Sequence, residues 1–139
     1  MLDPTDPKNA HIEERLRNDL ITWISSVRPD GRPHIVPVWF LWDGKSILIF
    51  SQPHSQKIRN VRHNPNVMLA LDDTKSGDDV VMFEGKAELL NETTVNTTMA
   101  AYATKYDSLL RSMGWDAATM AADYSQPIRI TPTRFIRVE

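Results

Sequence analysis

The residues best placed to do chemistry lie in a stretch that contains no acid. From Ser46 through Leu71 there is neither Asp nor Glu, while Lys57, Arg59 and Arg62 fall close together and His54 and His63 flank them. The whole chain carries 16 basic and 18 acidic side chains, a net charge of −2, so any anion must be met by a local cluster rather than by a bulk positive field. Ser55 can begin a short helix here, and the unpaired N–H groups of a helix start attract anions. Ser51, Ser55 and Lys57 could then hold a phosphate together. The same charges also suit a solvated helix face, and on the residues alone both roles stay open. Lys57 lies at the junction of strand and helix, whereas Arg62 lies at the far end, where a cation simply complements the helix dipole.

A second candidate is the run His34 to Trp42, where Val36, Val38, Phe40 and Trp42 alternate with Ile35, Pro37, Trp39 and Leu41. Both faces of such a strand are apolar, so both must be covered. Pro37 removes one ladder donor from its middle. The run then either offers a flat surface for a planar ring, or marks an edge strand or bulge with Trp39 in the core or at a dimer contact. His11, His34, His54 and His63 have no metal-type pairing, and Asp72-Asp73 with Asp78-Asp79 around Gly77 read as a soluble loop, so no metal is expected. No nucleophile elbow, dinucleotide fingerprint or phosphate-binding P-loop occurs, and the absence of cysteine removes thiolate chemistry.

These residues need a scaffold, and the pattern supplies one. A loose arm over residues 1–10 precedes a short helix from His11 to Asp19, with Ile12, Leu16 and Leu20 on one stripe. Strands are expected at Ile21–Val27, His34–Trp42 and Lys45–Ser51, joined by the turn Arg28–Arg32 and by Asp43-Gly44, a strong hairpin signal. Three such strands in succession predict a meander. A helix capped by Ser55 ends at Asn64-Pro65-Asn66; strands follow at Val67–Asp72 and Val80–Leu90, separated by the polar loop Asp73–Asp79. Gly85 suggests a bulge or bend. Residues 92–124 form a helical insertion with Val95, Met99, Tyr102 and Tyr106 as one stripe and a break at Gly114, and Ile128–Val138 is the last strand, with Pro132 at an edge or bulge.

The expected fold is therefore all-β dominated, six strands in a closed or partly closed antiparallel barrel with short helices, in one domain over residues 11–139. With 139 residues and 41% hydrophobic composition, one chain has little room for both a full core and a large cofactor pocket. Neither a secretory leader nor a bilayer-spanning run is present in the sequence, which points to a cytoplasmic protein without membrane or nucleic-acid partners.

Several ordered segments carry a family resemblance. Arg28-Pro-Asp-Gly-Arg-Pro-His-Ile-Val-Pro-Val-Trp-Phe-Leu-Trp-Asp-Gly, Ile49-Phe50-Ser51-Gln52, Ser55-Gln-Lys-Ile-Arg-Asn-Val-Arg-His-Asn-Pro-Asn-Val, Val80-Val-Met-Phe-Glu-Gly-Lys-Ala and Tyr124-Ser-Gln-Pro-Ile-Arg-Ile-Thr-Pro-Thr-Arg resemble the pyridoxamine-phosphate-oxidase-like split-barrel superfamily. The chain looks most like its short F420-dependent oxidoreductases. That resemblance implies a six-stranded antiparallel split β-barrel of Greek-key type that works as a homodimer, with cofactor sites between subunits. It also implies that Val36, Pro37, Val38 and Trp39 lie against a tricyclic ring, while Phe50, Ser51, Gln52, Gln56, Lys57 and Asn60 hold the ribityl chain and phosphate. The partner subunit would add residues around Asp79 to Val81, with Tyr124 or Arg134.

The chain departs from true pyridoxamine phosphate oxidase in lacking its basic strand motif and C-terminal arginine and histidine signals, which disfavours vitamin B6 oxidation. The function implied is an F420-dependent reductase acting on a small unsaturated or quinone-like compound, with Arg59, Arg62 and Lys57 as a basic trail for the F420 tail. No catalytic acid–base residue of the protein is required, because the cofactor carries the hydride. The alternatives are an FMN-binding oxidoreductase, a non-catalytic carrier of such a cofactor, and a haem-binding protein using His34, His54 or His63 as axial ligand.

Overall fold

The structure, a computed structural model, describes residues 5–72 and 75–136. The beginning of the expected arm, part of the Asp73–Asp79 loop and the end of the last strand lie outside the described residues. In chain order come α1 (Pro7–Asn18), β1 (Ile21–Val27), β2 (Pro33–Trp39), β3 (Leu41–Trp42), β4 (Ile47–Ser51) and α2 (Gln56–His63). They are followed by β5 (Asn66–Leu71), β6 (Val81–Leu89), α3 (Ala100–Ser112), α4 (Ala117–Asp123) and β7 (Gln126–Ile136). α1 starts earlier than expected, at Pro7 rather than His11, because Asp6 accepts the Lys8 N–H and Pro7 enters the helix at its start. The helical insertion, by contrast, starts later than expected, at Ala100, after turns and bends over residues 93–99.

The seven strands form one antiparallel sheet in the order β2-β1-β5-β6-β7-β4-β3, where six were expected. The sheet curls into a half-barrel, and β2 comes back beside β4. The expected meander is not formed: the β1–β2 hairpin and the β3–β4 hairpin lie at opposite ends of the strand order.

The cause is a break at Phe40. Its buried backbone N–H donates to the Tyr106 hydroxyl at 2.8 Å, and its carbonyl accepts from Lys105 Nζ at 2.8 Å. The Tyr106 hydroxyl also lies 2.6 Å from the Leu20 carbonyl and 3.0 Å from that of Phe40. Side chains of α3 thus satisfy peptide groups that a continuous strand would have paired, and the chain is free to leave one sheet edge for the other.

β4 is buried throughout. Ile47 and Ile49 pack inside the curl with Ile24, Leu69 and Ile128, whereas Leu48 and Phe50 pack on its other side with Tyr102, Tyr106 and Leu110 of α3. Each such side chain contributes about 1.5–3 kcal/mol by leaving water, so the strand that carries Phe50 is held from both faces. Between β6 and β7 the register slips at Glu84/Gly85: Glu84 faces Arg134 and Gly85 faces Pro132, which leaves Thr133 as an extra residue on β7. A Cβ on Gly85 would stand 2.8 Å from Ile130 Cγ2 and 3.0 Å from the Thr131 carbonyl.

The outer face of β1–β2 is apolar and, apart from Trp39, which packs against α3, partly open to solvent. Register places Ile21 opposite Trp39, Trp23 opposite Pro37 and Ser25 opposite Ile35. Ile21, Trp23 and Ile35 are 39%, 44% and 61% exposed. Among the described residues no helix is long and apolar enough to cross a membrane.

Candidate functional site

β2 is an edge strand, and along its free edge lies a cavity of about 320 Å³. Its lining brings together Val36, Pro37, Val38 and Trp39 of β2, Phe50 and Gln52 at the end of β4, and Lys57 of α2. The opposite wall is Tyr102, Met113, Trp115, Met120 and Tyr124 from the helical insertion. All four β2 residues reach it, although they alternate between faces, because the cavity borders the strand's edge rather than one of its faces. An edge strand also leaves alternate peptide groups without a ladder partner, so the ribbon offers backbone donors and acceptors beside apolar side chains. Pro37 is tolerated there for the same reason.

Trp39 is fixed from behind. Its indole stacks on the Tyr106 ring with centroids 4.7 Å apart and planes 3° from parallel, and Trp115 leans towards it at 6.3 Å and 45°. Phe50 meets the ring of Tyr102 edge-on at 4.9 Å. Aromatic pairs of this geometry add about 0.5–1.5 kcal/mol beyond burial, which helps hold Trp39 and Phe50 in place.

Ser51, Gln56 and Asn60 are not brought to the cavity. The buried Ser51 hydroxyl bonds to Ser55 Oγ at 2.9 Å, and so Ser55 makes no side-chain cap on α2. Gln56 Nε2 donates to Asn60 Oδ1 at 2.7 Å, and the fully buried Asn60 donates to Ser26 Oγ at 2.9 Å. These bonds tie α2 to β1 and β4, and so set where Lys57 stands. Arg59 and Arg62 do not form the expected trail: Arg59 is held by the His54 carbonyl at 3.0 Å and Gln56 Oε1 at 2.7 Å, and neither arginine lines the cavity.

Lys57 is half-buried, and burial holds its ammonium below the ordinary lysine range. No carboxylate pairs with it among the described residues. Arg28 and His34 join it electrostatically: burial first, then the charges of Arg28 and Lys57, hold His34 below the usual imidazole value. Arg28 Nε and His34 Nδ1 are buried without a partner among the described residues. The charges of Arg28 and Lys57 thus both reach His34, and such a set of nitrogen-bearing side chains suits an anion. The hairpin register sets His34 opposite Ser26, but the bond from Asn60 of α2 to Ser26 is a long-range contact with no signal in the sequence.

Tyr124, expected from a partner subunit, lines the cavity of its own chain. Asp79 instead accepts from His11 Nε2 and Arg15 Nη1, each at 3.0 Å, securing α1. Tyr102, Met113, Trp115 and Met120 are the lining residues that the strand pattern does not reveal; Tyr102 reads in sequence only as part of a buried stripe. None of the four histidines lines the cavity, and no cluster suited to a metal occurs among the described residues. Apolar walls, a free peptide edge and a cationic end together suit a planar heterocycle with an anionic tail.

Comparison with known proteins identifies the family and the fold. The family model described as pyridoxamine 5'-phosphate oxidase matches residues 9–139. Among solved structures, an F420 reductase shares 26% identity over 89% of this chain and 94% of its own, with a TM-score of 0.67. A putative pyridoxamine 5'-phosphate oxidase from Listeria innocua shares 20% identity over 91% and 94% of the two chains, with a TM-score of 0.70. HutZ, the haem storage protein from Vibrio cholerae, shares 14% identity over 91% and 92%, with a TM-score of 0.65. The last two likenesses are of fold alone. No curated protein matches the sequence.

Proposed function

The chain belongs to the pyridoxamine 5'-phosphate oxidase family, and from that membership we propose that it is an oxidoreductase holding a flavin-type ring along β2, with F420 as the first assignment and FMN as the alternative. The observation that carries this reading is the cavity on the free edge of β2, apolar along the strand and lined also by Lys57, which has no carboxylate partner among the described residues. Similarity to an F420 reductase at 26% identity supports the deazaflavin. FMN remains the alternative because Lys57, Arg28 and His34 suit either phosphate, and Arg59 is committed to its own helix.

When bound, such a ring supplies hydride transfer to or from a small organic substrate. The protein's part is to bind, orient and shield. Val36, Val38 and Trp39 give one apolar wall, and the peptide edge of β2 supplies hydrogen bonds that fix the ring's rotation. Lys57, with Arg28 and His34, anchors the anionic tail. Trp115 and Met113, 43% and 45% exposed, stand at the mouth where a small unsaturated or quinone-like substrate would enter and where water must be kept out.

The exposed Ile21, Trp23 and Ile35 face fits a second copy of the chain, and a homodimer is part of the proposal. Titration of the purified protein with F420 and FMN side by side tests the cofactor, and turnover with reduced F420 then separates an enzyme from a carrier. Binding of neither compound overturns the reading.

A further inference from the structure

Tyr102 is fully buried, yet its hydroxyl has no hydrogen-bond partner among the described residues. An unpaired hydroxyl in an apolar setting is unfavourable, and phenylalanine would fill the same volume without that penalty. The ring is not free to swing towards a partner. Phe50 meets it edge-on at 4.9 Å, and Tyr106 lies against it at 4.9 Å and 39°. Both neighbours are themselves fixed, Phe50 by the two-sided burial of β4 and Tyr106 by its bonds to Phe40 and Leu20. One turn along the same helix, the Tyr106 hydroxyl is fully used inside the protein, whereas Tyr102 lines the cavity. Burial, followed by the neighbouring Tyr106 and Tyr124, raises the Tyr102 phenol well above its ordinary value, so the group keeps its proton.

We propose that Tyr102 is a ligand-binding residue whose hydroxyl donates a hydrogen bond to an acceptor, a ring carbonyl oxygen or ring nitrogen, on the planar molecule held in the cavity. This rests on the cofactor reading above and deepens it: the ligand must turn an acceptor, not a hydrocarbon edge, towards α3, in addition to placing its anionic tail at Lys57. The hydroxyl is itself buried, so the acceptor reaches it as the cavity wall yields, and no hydrogen bond among the described residues has to break first.

Tyr102→Phe tests the assignment with two readouts of opposite sign. The thermal midpoint of the ligand-free protein should stay level or rise, because an idle buried hydroxyl has been removed. Affinity for F420 and for FMN, followed by fluorescence titration, should fall about three- to tenfold for the cofactor that binds, the scale of one neutral hydrogen bond. A lowered midpoint with unchanged affinity overturns the proposal, since the hydroxyl would then serve the fold alone. Failure of the variant to fold overturns it equally, as loss of an unpartnered hydroxyl from an unchanged ring cannot unfold the chain. A wild-type protein that binds neither F420 nor FMN sinks the cofactor reading instead, and the midpoint then decides by itself whether the hydroxyl is idle in the empty fold.

Discussion

The indole of Trp39 and the phenol ring of Tyr106 lie face to face, and the hydroxyl of that same tyrosine takes up the N–H of Phe40, the next residue after Trp39. One side chain on α3 therefore both backs the cavity wall and permits the break that separates β2 from β3. Coupling of this kind makes the site and the topology depend on each other.

Tyr106→Phe keeps the stacked ring and deletes the acceptor for a buried N–H. Stability should fall by about 1–3 kcal/mol, the cost of leaving such a donor unpaired. Denaturant unfolding measures it, and an unchanged midpoint would mean that the Phe40 break is held by something else.

Lys57→Ala should weaken cofactor binding by about 1.5–3 kcal/mol, the scale of a charged hydrogen bond. The thermal midpoint of the empty protein should barely move, because no acidic partner among the described residues loses its cation. Affinity equal to wild type for both F420 and FMN removes Lys57 from the site.

His34 lies below its ordinary value of 6.5, from burial first and then from Arg28 and Lys57. Between that depressed folded value and 6.5 the unfolded chain binds more protons, so the empty protein loses stability as pH falls through this window. A bound anion reverses the sign, because protonated His34 then favours the complex. His34→Gln should flatten both slopes, seen as pH series of unfolding midpoint and of ligand affinity; parallel slopes in the variant and the wild type would contradict it.

Trp23→Lys places a charge in the exposed apolar face of β1–β2. Light scattering coupled to size exclusion should show a dimer for wild type and a monomer for the variant, with cofactor affinity reduced as the second copy departs. A monomeric wild type ends the dimer proposal.

Gly85→Ala should cost about 1–3 kcal/mol, the range for forcing extra volume into a packed region, because its Cβ would press on Ile130 and on the Thr131 carbonyl. Chemical denaturation checks this, and a neutral result would show that the β7 bulge can shift to make room.

Much of this protein is written locally. The branched and aromatic residues along Ile21–Val27, alternation along Val81–Leu89, the Asp43-Gly44 turn and the proline in β2 depend on neighbours a few residues apart, so strands, turns and the apolar ribbon Val36–Trp39 can be read from order alone. The acid-free segment likewise exposes Lys57, since charge spacing needs no folding to be seen. What order cannot show is pairing at long range. Phe40 breaks its strand because Tyr106, 66 positions away, satisfies its N–H. Arg28 and His34 join Lys57 because Asn60 docks α2 on Ser26. Ser51, Gln56 and Asn60 look like ligand contacts by type and position, yet their hydrogen bonds close on one another and on the scaffold. Whether a polar side chain serves a ligand or the fold depends on which partners reach it, and only the packed chain decides that.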